Sequence, residues 1–248
     1  MRWRIVPITA NDAYFNMAID QAVSESVHAK TSDPTIRFYT WTPSAVSIGC
    51  FQSMADEVNL ENCRELGVDC IRRITGGGAV YHDSEGEITY SVIAPEPLLP
   101  KGIRESYKFI CEWIIKGLAE LKIAAEFQPI NDIAVNGKKI SGNAQTRRNG
   151  VVLQHGTILY RTDLSRMFSL LNISREKISD KMIKSAEERV TSVSACCEAS
   201  IEEAYNALLK GFTDGKDFYF GSFEDDEIKR AEELKRTLYS TKEWNLSR

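Results

Sequence analysis

Apolar and polar positions along the chain switch between two periods, and the switches mark its elements. From Asp12 to about His28, Phe15, Ile19, Ala22 and Val23 recur at helical spacing, which predicts an amphipathic helix. Shorter apolar runs follow from Ile36 to Trp41, Ala45 to Phe51, Asp69 to Ile74, Ala79 to His82 and Ile88 to Ala94, each read as a strand, with Pro95 and Pro97 closing the last. The helical period returns from Ser106 to Leu121, where Tyr107, Ile110, Ile114, Leu118 and Leu121 form one stripe. Between Phe127 and Tyr160 two Asn-Gly dipeptides, Asn136-Gly137 and Asn149-Gly150, separate strand-like runs. A type I′ hairpin needs positive φ at both central residues, and Asn-Gly meets that need, so this segment reads as three antiparallel strands. Ser200-Ile201-Glu202-Glu203 has the form of a capping box opening a helix through about Phe212, and Glu224 to Leu238 reads as a charged helix with a solvated face. Strands grouped with hairpins, without regular βαβ alternation, predict an α+β fold: a mixed, largely antiparallel sheet flanked by helices.

Composition narrows the class. A chain of 248 residues with 43% hydrophobic content can bury a sizeable core, as one large domain or a domain with a small appendage. The net charge of −4, with both signs interspersed, argues against a nucleic-acid partner. Six cysteines without a C-x-x-C pair, and only three histidines, disfavour a thiolate or histidine metal site. Cysteines scattered through apolar segments fit a reducing compartment, where each behaves as a small hydrophobe. No apolar run approaches the roughly 18 residues of a membrane span, and none follows the charged N-terminus; the expectation is a cytoplasmic protein without membrane contact.

The candidate chemistry lies in two patches. The first is Arg72-Arg73-Ile74-Thr75-Gly76-Gly77-Gly78-Ala79-Val80-Tyr81-His82-Asp83. Successive glycines lose backbone entropy and bury no side chain, so they suit a backbone that passes close to something. The flanking arginines suggest an anion, although a tight turn would also use glycine. Neither a P-loop nor a G-x-G-x-x-G fingerprint is present. The second patch is Asn131-Asp132 followed by Lys138-Lys139-Ile140-Ser141-Gly142. On a strand the paired lysines point to opposite faces, so one can face a pocket beside the small residues that follow. Asp132 suits either Mg²⁺ or an Asx turn, and His155, ahead of Gly156, is by itself a core histidine more often than a catalytic one.

Together these stretches, with Asn131-Asp132-Ile133, Lys139-Ile140-Ser141-Gly142, His155-Gly156-Thr157 and the upstream Ser47-Ile48-Gly49-Cys50-Phe51-Gln52, resemble the motif series of the lipoate–protein ligases in order and spacing. The resemblance spans nearly the whole chain and implies a single catalytic domain over 1–248. It implies the catalytic fold shared with biotin ligases and class II aminoacyl-tRNA synthetases, and a reaction that joins lipoate to ATP as lipoyl-AMP before transfer to a carrier lysine.

Carried over residue by residue, the resemblance assigns Arg73, Gly76, Gly77, Gly78, Ala79, Val80, Tyr81, Asn131 and Asp132 to the nucleotide, with Asp132 at the metal. Lys139 is the catalytic residue and contacts both the α-phosphate and the acyl carbonyl. His82, Gly142, His155 and Gly156 lie beside lipoate. ATP and Mg²⁺ are the implied cofactors, and the acceptor is a lipoyl domain or a glycine-cleavage-type carrier. Ser141 to Arg147 and Leu153 to Gly156 also resemble an octanoyltransferase branch of the same superfamily, which works through a cysteine nucleophile. Ile123 to Ile130 contains no cysteine, and Gly78 stands where that branch commonly carries arginine. Both points favour the ATP-dependent ligase over the transferase, and Arg73, Gly76 to Gly78, Asp132 and Lys139 together disfavour a non-catalytic lipoate-binding protein, which needs neither a phosphate loop nor its lysine. Because the chain stops just after Tyr239 to Asn245, a segment that in long family members leads into a C-terminal accessory domain, we expect no such domain here. A small separate protein would then replace it, docking through Leu234, Leu238, Tyr239 and Trp244.

Overall fold

The computed structural model describes residues 2–161, 163–172, 185 and 187–248. Its centre is an eight-stranded sheet built from β1 (Trp3–Asn11), β2 (Thr35–Trp41), β6 (Glu87–Pro95), β7 (Ala125–Gln128), β8 (Asp132–Val135), β9 (Lys138–Arg148), β10 (Val151–Leu159) and β11 (Phe218–Phe220), in the order β11-β1-β2-β6-β10-β9-β8-β7. β1 runs parallel to β2 and β11; every other pairing in this sheet is antiparallel. A second, three-stranded sheet sets β3 (Ala45–Ile48) between β4 (Asp69–Arg72) and β5 (Val80–His82). The expected mixed, largely antiparallel sheet with helical cover is therefore present.

Both Asn-Gly turns are hairpins with positive φ at each central residue: 50° and 76° at Asn136 and Gly137, 52° and 72° at Asn149 and Gly150. The antiparallel run holds four strands where three were expected, because β7 pairs with β8 ahead of the first Asn-Gly turn. β1 was not expected. Pro7 interrupts its pattern, and the register shifts between Val6 and Thr9 around that proline. Its Arg4 is buried, donating to both carboxylate oxygens of Glu227 at 2.8 and 2.7 Å.

Helix α1 (Ala13–Ala29) starts at Asp12, whose side chain accepts from Phe15 N at 2.8 Å, and buries Met17, Ile19, Ala22 and Val23 against one face of the sheet. Helix α2 (Ile103–Glu120) buries Tyr107, Ile110, Ile114 and Leu118, the expected stripe. It packs with helix α3 (Ile201–Thr213), whose capping box is formed as the sequence implied. Helix α4 (Asp225–Leu234) continues through Lys235–Tyr239 as one wider turn. Leu234 and Tyr239 are buried in the core beside α1, with Leu238 and Trp244 packed against it. The four apolar side chains expected to receive a separate accessory protein thus face this chain's own core.

Among the described residues no helix is long and apolar enough to cross a membrane.

Candidate active site

The two sheets meet around a cavity of about 320 Å³. Its wall contains the glycine loop from Gly77 to His82, together with Arg73, Asn131, Lys139, Gly142, His155 and Gly156. Residues from both patches of the sequence, and from β10, therefore converge on one space. Gly76 and Asp132 do not line it themselves, but Gly76 adjoins Gly77 and Asp132 pairs with Lys139. Trp41 and Tyr39 of β2, Ser47 of β3 and Glu87 and Thr89 of β6 complete much of the inner surface, none of them expected from the sequence.

The loop's path explains its glycines unequally. Gly77 has φ of 98°, which side chains rarely adopt. A Cβ at Gly49 would overlap Gly77 O and sit 3.0 Å from Gly76 C, so the Gly49 backbone and the loop touch directly. A Cβ at Gly78 would meet no heavy atom within 4 Å, so that position is open to a larger residue.

The paired arginines organise the protein rather than an anion. Arg73 is buried, and all five of its N–H groups donate internally: Nε to Thr75 Oγ1 at 3.3 Å, Nη1 to Ser47 O and Oγ at 3.0 and 2.9 Å, and Nη2 to Gly76 O and Gly78 O at 2.9 Å each. Burial lowers its pKa to about 10, so the group is still cationic at neutral pH. Arg72, equally buried, binds the carbonyls of Gln52, Trp244 and Asn245 at 2.6, 3.0 and 3.1 Å and fastens the C-terminal segment to the base of the loop.

Two buried relays converge on Arg73. On one side His82 stacks on Trp41, ring centroids 4.0 Å apart, with its ring nitrogens 2.7 Å from Ser47 Oγ and 2.7 Å from Glu87 Oε1. On the other, His155 Nε2 lies 2.8 Å from Thr75 Oγ1, and Nδ1 lies 3.4 Å from Asp20 Oδ2. Burial holds the His155 imidazole below its ordinary range, a shift that Asp20 partly opposes.

Lys139 brings an ammonium to the wall. Its Nζ lies 2.7 Å from Asp132 Oδ1, with both side chains partly exposed at 44% and 35%. Its backbone is clamped by a short segment, donating to Arg189 O and accepting from Thr191 N at 2.8 Å each. A Cβ on Gly142 would stand 2.8 Å from Lys139 Cε and Nζ, so that glycine leaves the ammonium its place. Asn131 is used in structure: its carbonyl accepts from Asn143 N and Nδ2 at 3.1 and 2.8 Å, and its own amide donates to Asn143 O. Among the described residues no group of His, Cys, Asp and Glu large enough to hold a metal gathers, at Asp132 or elsewhere. The described residues of the cavity wall include no cysteine.

The matching family model is the lipoyl protein ligase A/B catalytic domain, aligned with residues 12–213. The chain belongs to that family. Octanoyltransferase LipM of Brevibacillus brevis is 36% identical, covering 100% of this chain and 99% of that protein. LipM of Bacillus subtilis is 32% identical over 99% of this chain and 98% of its own. Among solved structures, a bi-partite lipoate protein ligase of Thermoplasma acidophilum superposes with a TM-score of 0.89 at 33% identity, covering 99% and 96% of the two chains. A lipoate-protein ligase A bound with ATP gives 0.86 at 31%, covering 99% of each.

The expectation of an ATP-dependent ligase is overturned by the curated relatives, which match end to end and are named octanoyltransferases. Two of the signals read toward a nucleotide lose weight in the structure. The arginines that suggested a phosphate already have their donors filled by protein oxygens, and the open surroundings of Gly78 remove the physical weight placed on glycine at that position.

Proposed function

We propose that the protein is an acyltransferase that moves an octanoyl group from a carrier thioester to a lysine of a lipoyl-type carrier domain. The observation that supports this most directly is the end-to-end match to octanoyltransferases LipM. The site is consistent with it: a cavity whose wall includes Tyr39, Trp41 and Leu159 suits an alkyl chain, and the Lys139 ammonium stands in its wall.

A thioester is already activated, so this transfer needs neither ATP nor Mg²⁺. The acceptor amine attacks the thioester carbonyl; the C–N bond forms, the C–S bond breaks, and the proton lost by the amine ends on the leaving thiolate. The Lys139 ammonium stabilises the oxyanion that develops on the carbonyl.

The acceptor is a lipoyl domain or a glycine-cleavage-type carrier. The test is octanoyl transfer from an octanoylated carrier thioester to such a domain, read by intact mass. Running it on this chain alone also shows whether an accessory polypeptide is required. Amide formation without nucleotide supports the proposal. Binding without transfer would indicate a storage protein.

A further inference from the structure

Neither Thr75, inside the glycine-loop motif, nor Asp20, outside every motif, has been given a role above, yet the buried hydrogen bonds of the site run through them. Arg73 Nε can only donate, so at 3.3 Å Thr75 Oγ1 is its acceptor. The Thr75 hydroxyl proton is then free to go to His155 Nε2, 2.8 Å away. That leaves the His155 proton on Nδ1, facing Asp20 Oδ2 at 3.4 Å. Asp20 is fixed in turn: Ser91 Oγ donates to its Oδ2 at 2.6 Å, and Arg37 Nη1 lies 3.2 Å from its Oδ1. The donors and acceptors are thus consistent when they run from Arg73 through Thr75 and His155 to Asp20. Every member is at least nine-tenths buried. The chain of bonds crosses from the glycine loop to β10 and on to α1, three pieces of the fold far apart in sequence.

Arg73 in turn holds Gly76 O and Gly78 O, one on each side of the left-handed Gly77. The backbone also fixes the start of the loop, where Arg73 N donates to Ile48 O at 2.9 Å. Cys50 N donates to Thr75 O at 2.9 Å, but no regular strand pairing spans 73–79.

We propose that Thr75 and Asp20 are positioning residues: through His155 and Arg73 they hold the glycine loop in the shape that closes the cavity over an acyl group. Neither contacts the reacting atoms. The effect on turnover rests on the acyltransfer reading above; the effect on the loop does not.

The test compares Thr75→Val, Thr75→Ala and Thr75→Ser in the full chain. Valine keeps the shape of threonine and removes its hydroxyl, and serine restores the hydroxyl without the methyl group. A misplaced reacting geometry can cost about 10²-fold in rate, so kcat for octanoyl transfer should fall by about tenfold or more in Thr75→Val and Thr75→Ala. KM should change little, because the apolar wall from β2 and β10 stays in place. Thr75→Ser should recover most of the rate. Hydrogen exchange of the amides of residues 74–80 should be faster in the valine and alanine variants and return to the wild-type rate in the serine variant. A merely structural threonine would move the melting temperature without splitting kcat from KM.

The inference is overturned if Thr75→Val matches the wild type in both turnover and loop exchange. Equal impairment of the serine and valine variants also overturns it, since the methyl group would then be what matters. If the wild type itself transfers no octanoyl group, the proposed reaction fails, and loop exchange in folded Thr75→Val or Thr75→Ala protein still decides the positioning role. Should valine not fold, alanine and serine supply the comparison.

Discussion

Lys139 Nζ and Asp132 Oδ1 face each other at 2.7 Å across the β8–β9 hairpin, with Gly142 leaving the space the ammonium occupies. A partly exposed pair of this kind contributes only about 0–1 kcal/mol to stability, so its position at the cavity is better explained by chemistry than by folding. Lys139→Ala should therefore leave the melting temperature nearly unchanged while lowering octanoyl transfer by roughly 10²–10³, the cost of one preorganised donor. Gly142→Ala should lower transfer too, since its Cβ takes the place of the lysine head. Near wild-type turnover in Lys139→Ala would remove the lysine from the mechanism.

The glycines around the loop separate by what surrounds them. Gly49→Ala drives a methyl group into Gly77 O, a backbone atom, and should cost about 1–3 kcal/mol as overpacking does elsewhere. Gly78→Arg enters open space and should change stability by no more than about 0.5 kcal/mol. Thermal melts of the two variants check the contrast; equal losses would contradict the loop's geometry.

His155 makes stability depend on pH with a definite sign. Burial is the larger effect and lowers its pKa from 6.5 in the folded protein, so the unfolded chain takes up a proton first. The contribution is complete above about pH 6.5 and is lost as pH falls toward the lower folded value. The melting temperature should drop between about pH 7 and pH 5, and His155→Gln should flatten that dependence. Identical slopes in the two proteins would show that other groups carry it.

Asn245 ties the end of the chain to the active-site loop. Its Oδ1 accepts from Arg72 N at 2.8 Å, and its Nδ2 donates to Tyr239 O and Thr241 O at 2.7 and 3.0 Å. Asn245→Ala leaves those groups without partners and should destabilise the protein by about 1–3 kcal/mol. Denaturant titration measures this directly, and an unchanged midpoint would mean that the C-terminal segment is not a fastener.

Much of this was legible in the sequence where one residue type has one physical use. Asn136-Gly137 and Asn149-Gly150 revealed both hairpins, because few residues tolerate two successive positive φ values. The stripe from Tyr107 to Leu118 revealed α2, and the two patches singled out for their chemistry, the glycine loop and the Lys139 segment, line one cavity. What failed was partnership. Arg72 and Arg73 read as anion ligands because a sequence shows charge but not the carbonyls that satisfy it. Asp20 and Arg37 were passed over, although each is a charged residue set among apolar neighbours, Ile19 and Ala22 for one and Ile36 and Phe38 for the other. That pattern was a visible signal of a buried ion pair. β1 was hidden by Pro7 and by Arg4, whose burial depends on Glu227 far along the chain.

The central claim is transfer from a thioester, and one experiment tests it most directly. The purified chain is mixed with octanoylated carrier thioester and a lipoyl-type domain, without nucleotide, and in parallel with free octanoate or lipoate, ATP and Mg²⁺. The account predicts an octanoyl amide on the domain in the first mixture and no pyrophosphate in the second. Pyrophosphate release with the free acid, and no transfer from the thioester, would contradict it.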